Sequence, residues 1–315
     1  MRVAPLDACS GRDLAVLLAE ECGHWSQELD WDFSEVSAAV AAGLDRGGLA
    51  GRVVQDDFGP VAYCYYVQEP GRTVIGSLFS ATRARGSGRE EAALAEVLRE
   101  TQAPGGPDRV ECQTLFSTAP GADAAFAAAG FESRPRHYLV LDLKRPRPQA
   151  SAARRTLRPL RRQDLPLAAE IVQESHRGSL DAALNLTYAT PRSCRHFVET
   201  LVLRSGCGRF DAEASFIAEV AGRPEGVLLA SRLSPSNGHI CQVSVRPSAQ
   251  GHGVGLALML AALEALARGG LARASLSVTV GNERAARLYA GLGFELRRGF
   301  AAHAWLRPPQ RLGLP

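Results

Sequence analysis

Residues 243 to 255 read VSVRPSAQGHGVG, and LALMLAALEALARGG follows. A β-like run ends at a proline, three glycines fall within five residues, and a helical pattern begins. Glycines let a backbone take positive φ and come close to a ligand. The first turn of a helix leaves N–H groups without partners, and the helix dipole adds partial positive charge there. Strand, glycine loop and helix N-terminus in that order make a seat for a phosphate-like anion. The Walker pattern GxxxxGK[ST] fails because no lysine follows. The dinucleotide pattern GxGxxG fails in both registers, since Leu256 and Leu258 stand where its third glycine belongs. The spacing that fits is [QR]xxGx[GA], from Gln250 to Gly255.

A second stretch, NERAARLYAGLGFE at 282 to 295, has its own geometry. On a helix Asn282, Ala285 and Tyr289 share one face, and the alanines allow a ligand to come close. Gly291 and Gly293 end the helix. The two motifs, in this order and 32 residues apart from Gln250 to Asn282, resemble the signatures of the GNAT superfamily of acyl-CoA N-acyltransferases. The second signature there reads NxxAxxLYxxxGF. The resemblance covers residues 156 to 308 and, more weakly, 1 to 143.

The resemblance implies acetyl-CoA as co-substrate, with its pyrophosphate held by Gln250, Gly251, His252, Gly253, Val254 and Gly255. The pantetheine arm would run beside the strand before the loop, against Val243, Ser244 and Val245, with Asn282 and Ala285 completing the seat. Acyl transfer to an amine needs a neutral nucleophile. An alkylammonium has a pKa of about 10.4, so about one molecule in 10³ is reactive at pH 7. It also needs a donor for the oxyanion, here the Val243 N–H, and a proton for the departing thiolate. Tyr289 matches the family's tyrosine, and a phenol of pKa about 10 stays protonated at rest. His239, at the start of the strand, and Glu219, in the preceding hairpin, are the expected bases. Asp181 is expected to hold a cationic acceptor, and His303 is a further candidate near the acceptor pocket.

The elements that must position these groups follow from the pattern. In the second half a helical region spans about 164 to 205, a hairpin 215 to 232, a strand 239 to 246, a helix 254 to 268, a strand 274 to 280, a helix 282 to 291 and a strand 299 to 306. One mixed sheet with helices on its faces accounts for that order. The first half repeats it. RARGSG at 83 to 88 answers QGHGVG, and AAAGFESRPR at 127 to 136 answers AGLGFELRRG, at offsets of 167 and 163. KRPRPQASAARR at 144 to 155 reads as a linker. The fold class is therefore α/β (α+β), with two tandem GNAT-like domains, each a mixed, mostly antiparallel sheet flanked by helices. Residues 1–143 form a degenerate, noncatalytic copy, 144–155 the linker and 156–315 the catalytic domain. In the first copy Phe126 stands opposite Tyr289, and Ala119 and Pro120 fall where Asn282 would be.

Composition bounds the rest. Apolar residues make up 46% of the 315, enough to bury real cores, and a net charge of +3 gives no footprint for nucleic acid. The seven cysteines form no CxxC, which reads as reduced thiols rather than a disulfide framework or a zinc site. The longest apolar run, VGLALMLAAL, is half the length of a membrane span. The expected protein is cytoplasmic, free of metal, and acts on a small-molecule or peptide amine without nucleic acid or membrane. Two other functions fit the same residues. One is a noncatalytic acyl-CoA sensor or scaffold, which would need neither Asn282 nor Tyr289. The other is an acyltransferase with a longer acyl chain or a hydroxyl acceptor. Amino acid, polyamine, antibiotic, peptide terminus and protein lysine all remain open as acceptors.

Overall fold

Ser10 and Asp13 open the first helix as a capping box. Ser10 Oγ accepts the Asp13 N–H at 3.2 Å, and Asp13 Oδ2 accepts the Ser10 N–H at 2.8 Å. Local signals of this kind set the elements of the computed structural model, which describes residues 2–113, 115, 117, 119, 121–146, 155–204 and 207–308. In chain order they are β1 (Arg2–Pro5), α1 (Gly11–Leu29), α2 (Ser34–Asp45), β2 (Ala50–Asp56), β3 (Gly59–Glu69), β4 (Arg72–Ser80), α3 (Arg89–Thr101), β5 (Arg109–Cys112), α4 (Ala122–Ala128) and β6 (Glu132–Asp142). After the linker come β7 (Arg155–Pro159), α5 (Leu165–His176), α6 (Leu180–Leu184), α7 (Pro191–Leu203), β8 (Arg209–Phe210), β9 (Phe216–Val220), β10 (Arg223–Arg232) and β11 (Asn237–Val245). The last four are α8 (Val254–Arg268), β12 (Arg273–Thr279), α9 (Glu283–Leu292) and β13 (Glu295–Leu306). Of the expected linker, residues 147–154 lie outside the described residues.

The chain divides into two compact units. The first comprises Met1–Leu29, Phe33–Pro135 and Phe300–Pro315, so far as these are described. Its strands pair in the order β1, β2, β3, β4, β5 and the 303–306 segment of β13, and only β4 with β5 is parallel. Side chains alternate across the sheet. Ala62, Cys64 and Tyr66 pack with Leu94, Val97 and Leu98 of α3, while Tyr63 and Tyr65 pack with Leu14, Leu17 and Leu18 of α1.

The second unit comprises Asp30–Asp32 and Arg136–Gly299. Its strands pair in the order β7, β9, β10, β11, β12 and the 136–142 segment of β6, and only β11 with β12 is parallel. Val227 and Leu229 pack with α5 and α7, and Leu228 and Ala230 pack with α8 on the other face. The expected boundary at 143 differs from this division. Residues 136–142 pair with β12 and put Leu139 and Leu141 into the second core, while 300–306 complete the first sheet. An alternating strand carries its apolar face to whichever sheet it joins, so the pattern is silent on this point.

The two units repeat in detail. Gly88 and Gly253 each sit before their helix, at φ 76° and 77°. Gly86 and Gly251 precede them at φ 68° and 82°. The Phe131 N–H donates to the Phe126 carbonyl and the Phe294 N–H to the Tyr289 carbonyl, both at 3.0 Å, so Phe126 is the counterpart of Tyr289. No helix among the described residues is long and apolar enough to cross a membrane.

Candidate active site

The parallel pairing of β11 with β12 runs only from Asn237↔Arg273 to Ile240↔Leu276. Beyond that point the strands diverge. A β-bulge opens the divergence, because Leu229 faces Gln242 while the next residue, Ala230, faces Ile240, leaving Cys241 extra. The Arg246 N–H donates to the Glu225 carbonyl at 2.8 Å. By antiparallel alternation Gln242 and Ser244 also turn their amides to β10, and Val243 and Val245 turn theirs into the gap. The Val245 carbonyl there accepts Gln250 Nε2 at 2.9 Å, which ties the glycine loop to the strand.

The gap opens into a cavity of about 640 Å³. Val243 to Val245, Gln250, Gly251 and Gly253 to Leu256 form one side, and Asn282, Ala285, Leu288 and Tyr289 another. His176, Ser179 and Asp181 close it from the helical region. A polar cavity of about 70 Å³ shares Asp181, Val243, Asn282, Ala285 and Tyr289 with it and adds Arg136, Tyr188, Gln242, Ser277 and Thr279.

A Cβ on Gly251 would meet nothing within 4 Å, so the loop presents open backbone. The first turn of α8 has no side-chain cap and no acidic residue to compete for its N–H groups. Arg284 of α9 lines the cavity and hydrogen-bonds to Gln250 Oε1, which puts a cation at the loop. These features fit a pyrophosphate. His252 belongs to the loop but is not among the residues lining the cavity.

Tyr289 is 7% exposed and packs edge-on against Phe294. Burial raises its pKa, the Asp181 charge adds to this and the Arg136 charge opposes it. Asn282 caps α9, its Oδ1 accepting the Ala285 N–H at 3.2 Å. Asp181 lines both cavities and accepts the Thr279 hydroxyl at 2.5 Å.

Two expected bases lie away from both cavities. His239 is buried in the sheet, with Nδ1 2.9 Å from Ser275 Oγ and its ring parallel to that of Tyr138 at 6.0 Å. Burial, helped by Arg136, lowers its pKa to about 4, so it is a poor proton acceptor at neutral pH. Glu219 on β9 is ion-paired to Arg158 Nε at 2.8 Å, and Arg158 also holds Asp164 at 2.7 Å. His303 belongs to the first unit, stacked on Phe126 at 3.9 Å and 2.7 Å from Ser133 Oγ.

The histidine that does line the cavity is His176, which the sequence reading passed over. Its ring stacks on Tyr188 at 4.0 Å, and Nδ1 lies 2.9 Å from the Val172 carbonyl oxygen. Ser175 Oγ lies equally close to Nδ1 and itself donates to that carbonyl, so with the hydrogen on Nδ1 both oxygens are served and Nε2 keeps its lone pair. Burial lowers the pKa of His176, opposed by that carbonyl and by Asp181. Arg136, Tyr188 and Arg284 were likewise missed. A histidine at the end of an amphipathic helix, beside the small residues Gly178 and Ser179, was the one available signal.

Residues 182–294 match the acetyltransferase (GNAT) family. That segment, which runs from α6 to just past α9, is similar to a GNAT acetyltransferase domain. Over 126 residues it is 32% identical to the mycothiol acetyltransferase of Frankia alni, covering 36% of this chain and 38% of that protein. Over 115 residues it is 34% identical to the mycothiol acetyltransferase of Acidimicrobium ferrooxidans, covering 35% and 37%. The matched segment thus spans under two fifths of the length of these relatives. The fold extends across the chain. A GCN5-related N-acetyltransferase from Sphaerobacter thermophilus superimposes with TM-score 0.66 and 19% identity, covering 97% of this chain and 96% of that one. A tandem GNAT protein from the clavulanic acid biosynthesis pathway superimposes with TM-score 0.58 and 16% identity, covering 98% and 99%. Two tandem GNAT folds, each a mostly antiparallel mixed sheet flanked by helices, make up this protein.

Proposed function

We propose that the second unit moves an acetyl group from acetyl-CoA to a primary amine by direct attack. The observation that carries this reading is the single cavity that brings together the glycine loop, the unpaired edge of β11, Tyr289 and His176. The names of the matched relatives and the GNAT domain support the acetyl donor. When bound, acetyl-CoA supplies a thioester carbonyl open to a nucleophile.

The loop amides from Gly251 to Gly255, with Arg284, hold the pyrophosphate. The Val243 and Val245 backbone groups hold the arm, and the Val243 N–H stabilises negative charge on the carbonyl oxygen. His176 Nε2 takes the proton from the amine, directly or through one water. The C–N bond forms and the C–S bond breaks. Tyr289 then gives its hydroxyl proton to the leaving sulfur and regains one from solvent, as His176 releases the amine's proton to solvent, so the proton lost by the amine balances the one gained by the thiol.

His176 gives the test a pH signature. Its lowered pKa keeps the ring neutral at pH 7, so kcat/KM expressed per neutral amine rises through a limb below pH 6.5 and then levels as the base becomes fully deprotonated. His176→Gln lowers the plateau by about ten- to hundred-fold and removes that limb, with acetyl-CoA affinity retained. Thiol release across pH 5 to 9 measures both. An unaltered limb in the variant takes His176 out of the mechanism. Failure of acetyl-CoA to bind the full chain removes the proposal altogether.

A further inference from the structure

The small cavity beside Tyr289 carries one charge of each sign. Arg136 lies on β6 directly opposite Thr279 of β12, and both line it. The Thr279 hydroxyl donates to Asp181 Oδ1 at 2.5 Å. Arg136, Thr279 and Asp181 are thus joined by strand register and a hydrogen bond, and all three line the cavity with Ser277, Gln242 and Tyr188. The Tyr188 hydroxyl donates to Gln242 Oε1 at 3.2 Å, and Gln242 Nε2 to Ser244 Oγ at 2.8 Å, so the neutral polar groups largely satisfy one another. Tyr289 lines the same cavity, so Asp181 and Arg136 share it with the phenol.

A pocket for a simple amine would gain from Asp181 and lose from a cation nearby. A polyamine, with several positive charges, would lose more. A ligand with an ammonium and a carboxylate a few bonds apart places each beside its opposite. It also avoids the cost of desolvating a single charge. The planar guanidinium fork matches a carboxylate in a way that an ammonium does not. We propose that the acceptor is a small zwitterion of the amino-acid type, its carboxylate on Arg136 and its amine between Asp181 and the acetyl donor. This rests on the acetyltransferase reading and narrows its acceptor.

The test compares matched acceptors. L-alanine, L-methionine and L-lysine are each assayed beside their carboxamides, with acetyl-CoA and thiol detection. Rates are expressed per neutral amine, because the amide lowers the amine pKa. The expected result is a preference of about ten-fold or more in kcat/KM for the free acid over its carboxamide. In Arg136→Gln the ratio of free-acid to carboxamide kcat/KM falls to near unity with acetyl-CoA affinity retained, and Arg136→Lys keeps part of the preference. No preference in the parent protein overturns the assignment, and that measurement needs no variant to fold. A preference that survives in Arg136→Gln overturns it too. Binding of acetyl-CoA with no transfer to any acid of the panel overturns the acceptor class alone. Absence of acetyl-CoA binding defeats the reading beneath it.

Discussion

Tyr289→Phe lowers turnover by about ten-fold or more and leaves acetyl-CoA affinity within about two-fold. The change removes one oxygen and keeps the ring, so the edge-on contact with Phe294 at 5.9 Å survives and the fold is unaffected. The size of the loss follows from the acidities. Burial and Asp181 hold the phenol above its ordinary pKa, so it is protonated throughout the working range. It is also a weaker acid than the thiol it serves, which titrates near 8.5 in a free cysteine. Tyr289 therefore works as a hydrogen-bond donor to the developing thiolate and completes the proton transfer late. That is worth about one to two powers of ten rather than the upper end of acid catalysis. Steady-state kinetics with thiol detection, and calorimetry with acetyl-CoA, separate the two effects. A variant with unchanged kcat would leave the leaving group to solvent and make Tyr289 a packing residue.

Gly255→Glu weakens acetyl-CoA binding by about thirty-fold or more, and Gly86→Trp leaves it unchanged at one equivalent per chain. The contrast comes from the repeat. Counting from the paired glycines at φ 76° and 77°, Glu90 is the counterpart of Gly255. The Glu90 carboxylate is buried, 2% exposed, and accepts the Ser80 hydroxyl at 2.7 Å. Glu91 beside it accepts the Gly121 N–H at 3.1 Å. The first turn of α3 thus carries its own anions, where α8 leaves room for a ligand's. A carboxylate at 255 copies this into the second unit. A Cβ there meets Leu288 and Val245 at 3.7 and 3.8 Å, ordinary contact, so the effect is one of charge rather than of fit. Like charges about 5 Å apart near a protein surface repel by a few kcal/mol, ample for the stated loss. Gly86 faces open space, and a tryptophan there strains only a positive φ, at a cost of about 1 kcal/mol in stability. Calorimetric titration of the three proteins decides it. Two equivalents bound by the parent chain would mean that the first unit also holds the nucleotide.

The motifs that could be read from the chain are local ones. A glycine loop between strand and helix, and an asparagine seven residues before a tyrosine, carry their geometry in their spacing, because φ preference and the helical period act over a few residues. The repeat was legible for the same reason, as two such motifs recurring in one order. The proposed proton acceptor, His176, was not legible. His239 and Glu219 have suitable chemistry, but strand position alone does not say which face they occupy. For β11 the bulge at Cys241 decides that. Ile240, Val243 and Val245 pack toward α8 although simple alternation would separate the first from the others.

The sequence by itself determined the glycine loop before its helix, the asparagine-to-tyrosine spacing and the duplicated α/β design, since each depends on residues near one another in the chain. Only the tertiary structure decided which side chains meet in the two cavities. His176 comes from the end of α5 and Arg136 from a strand before the linker, and each reaches the cavity through packing or strand pairing with distant segments. Their contribution is charge and proton affinity in a buried space, and both are set by neighbours that no local spacing records.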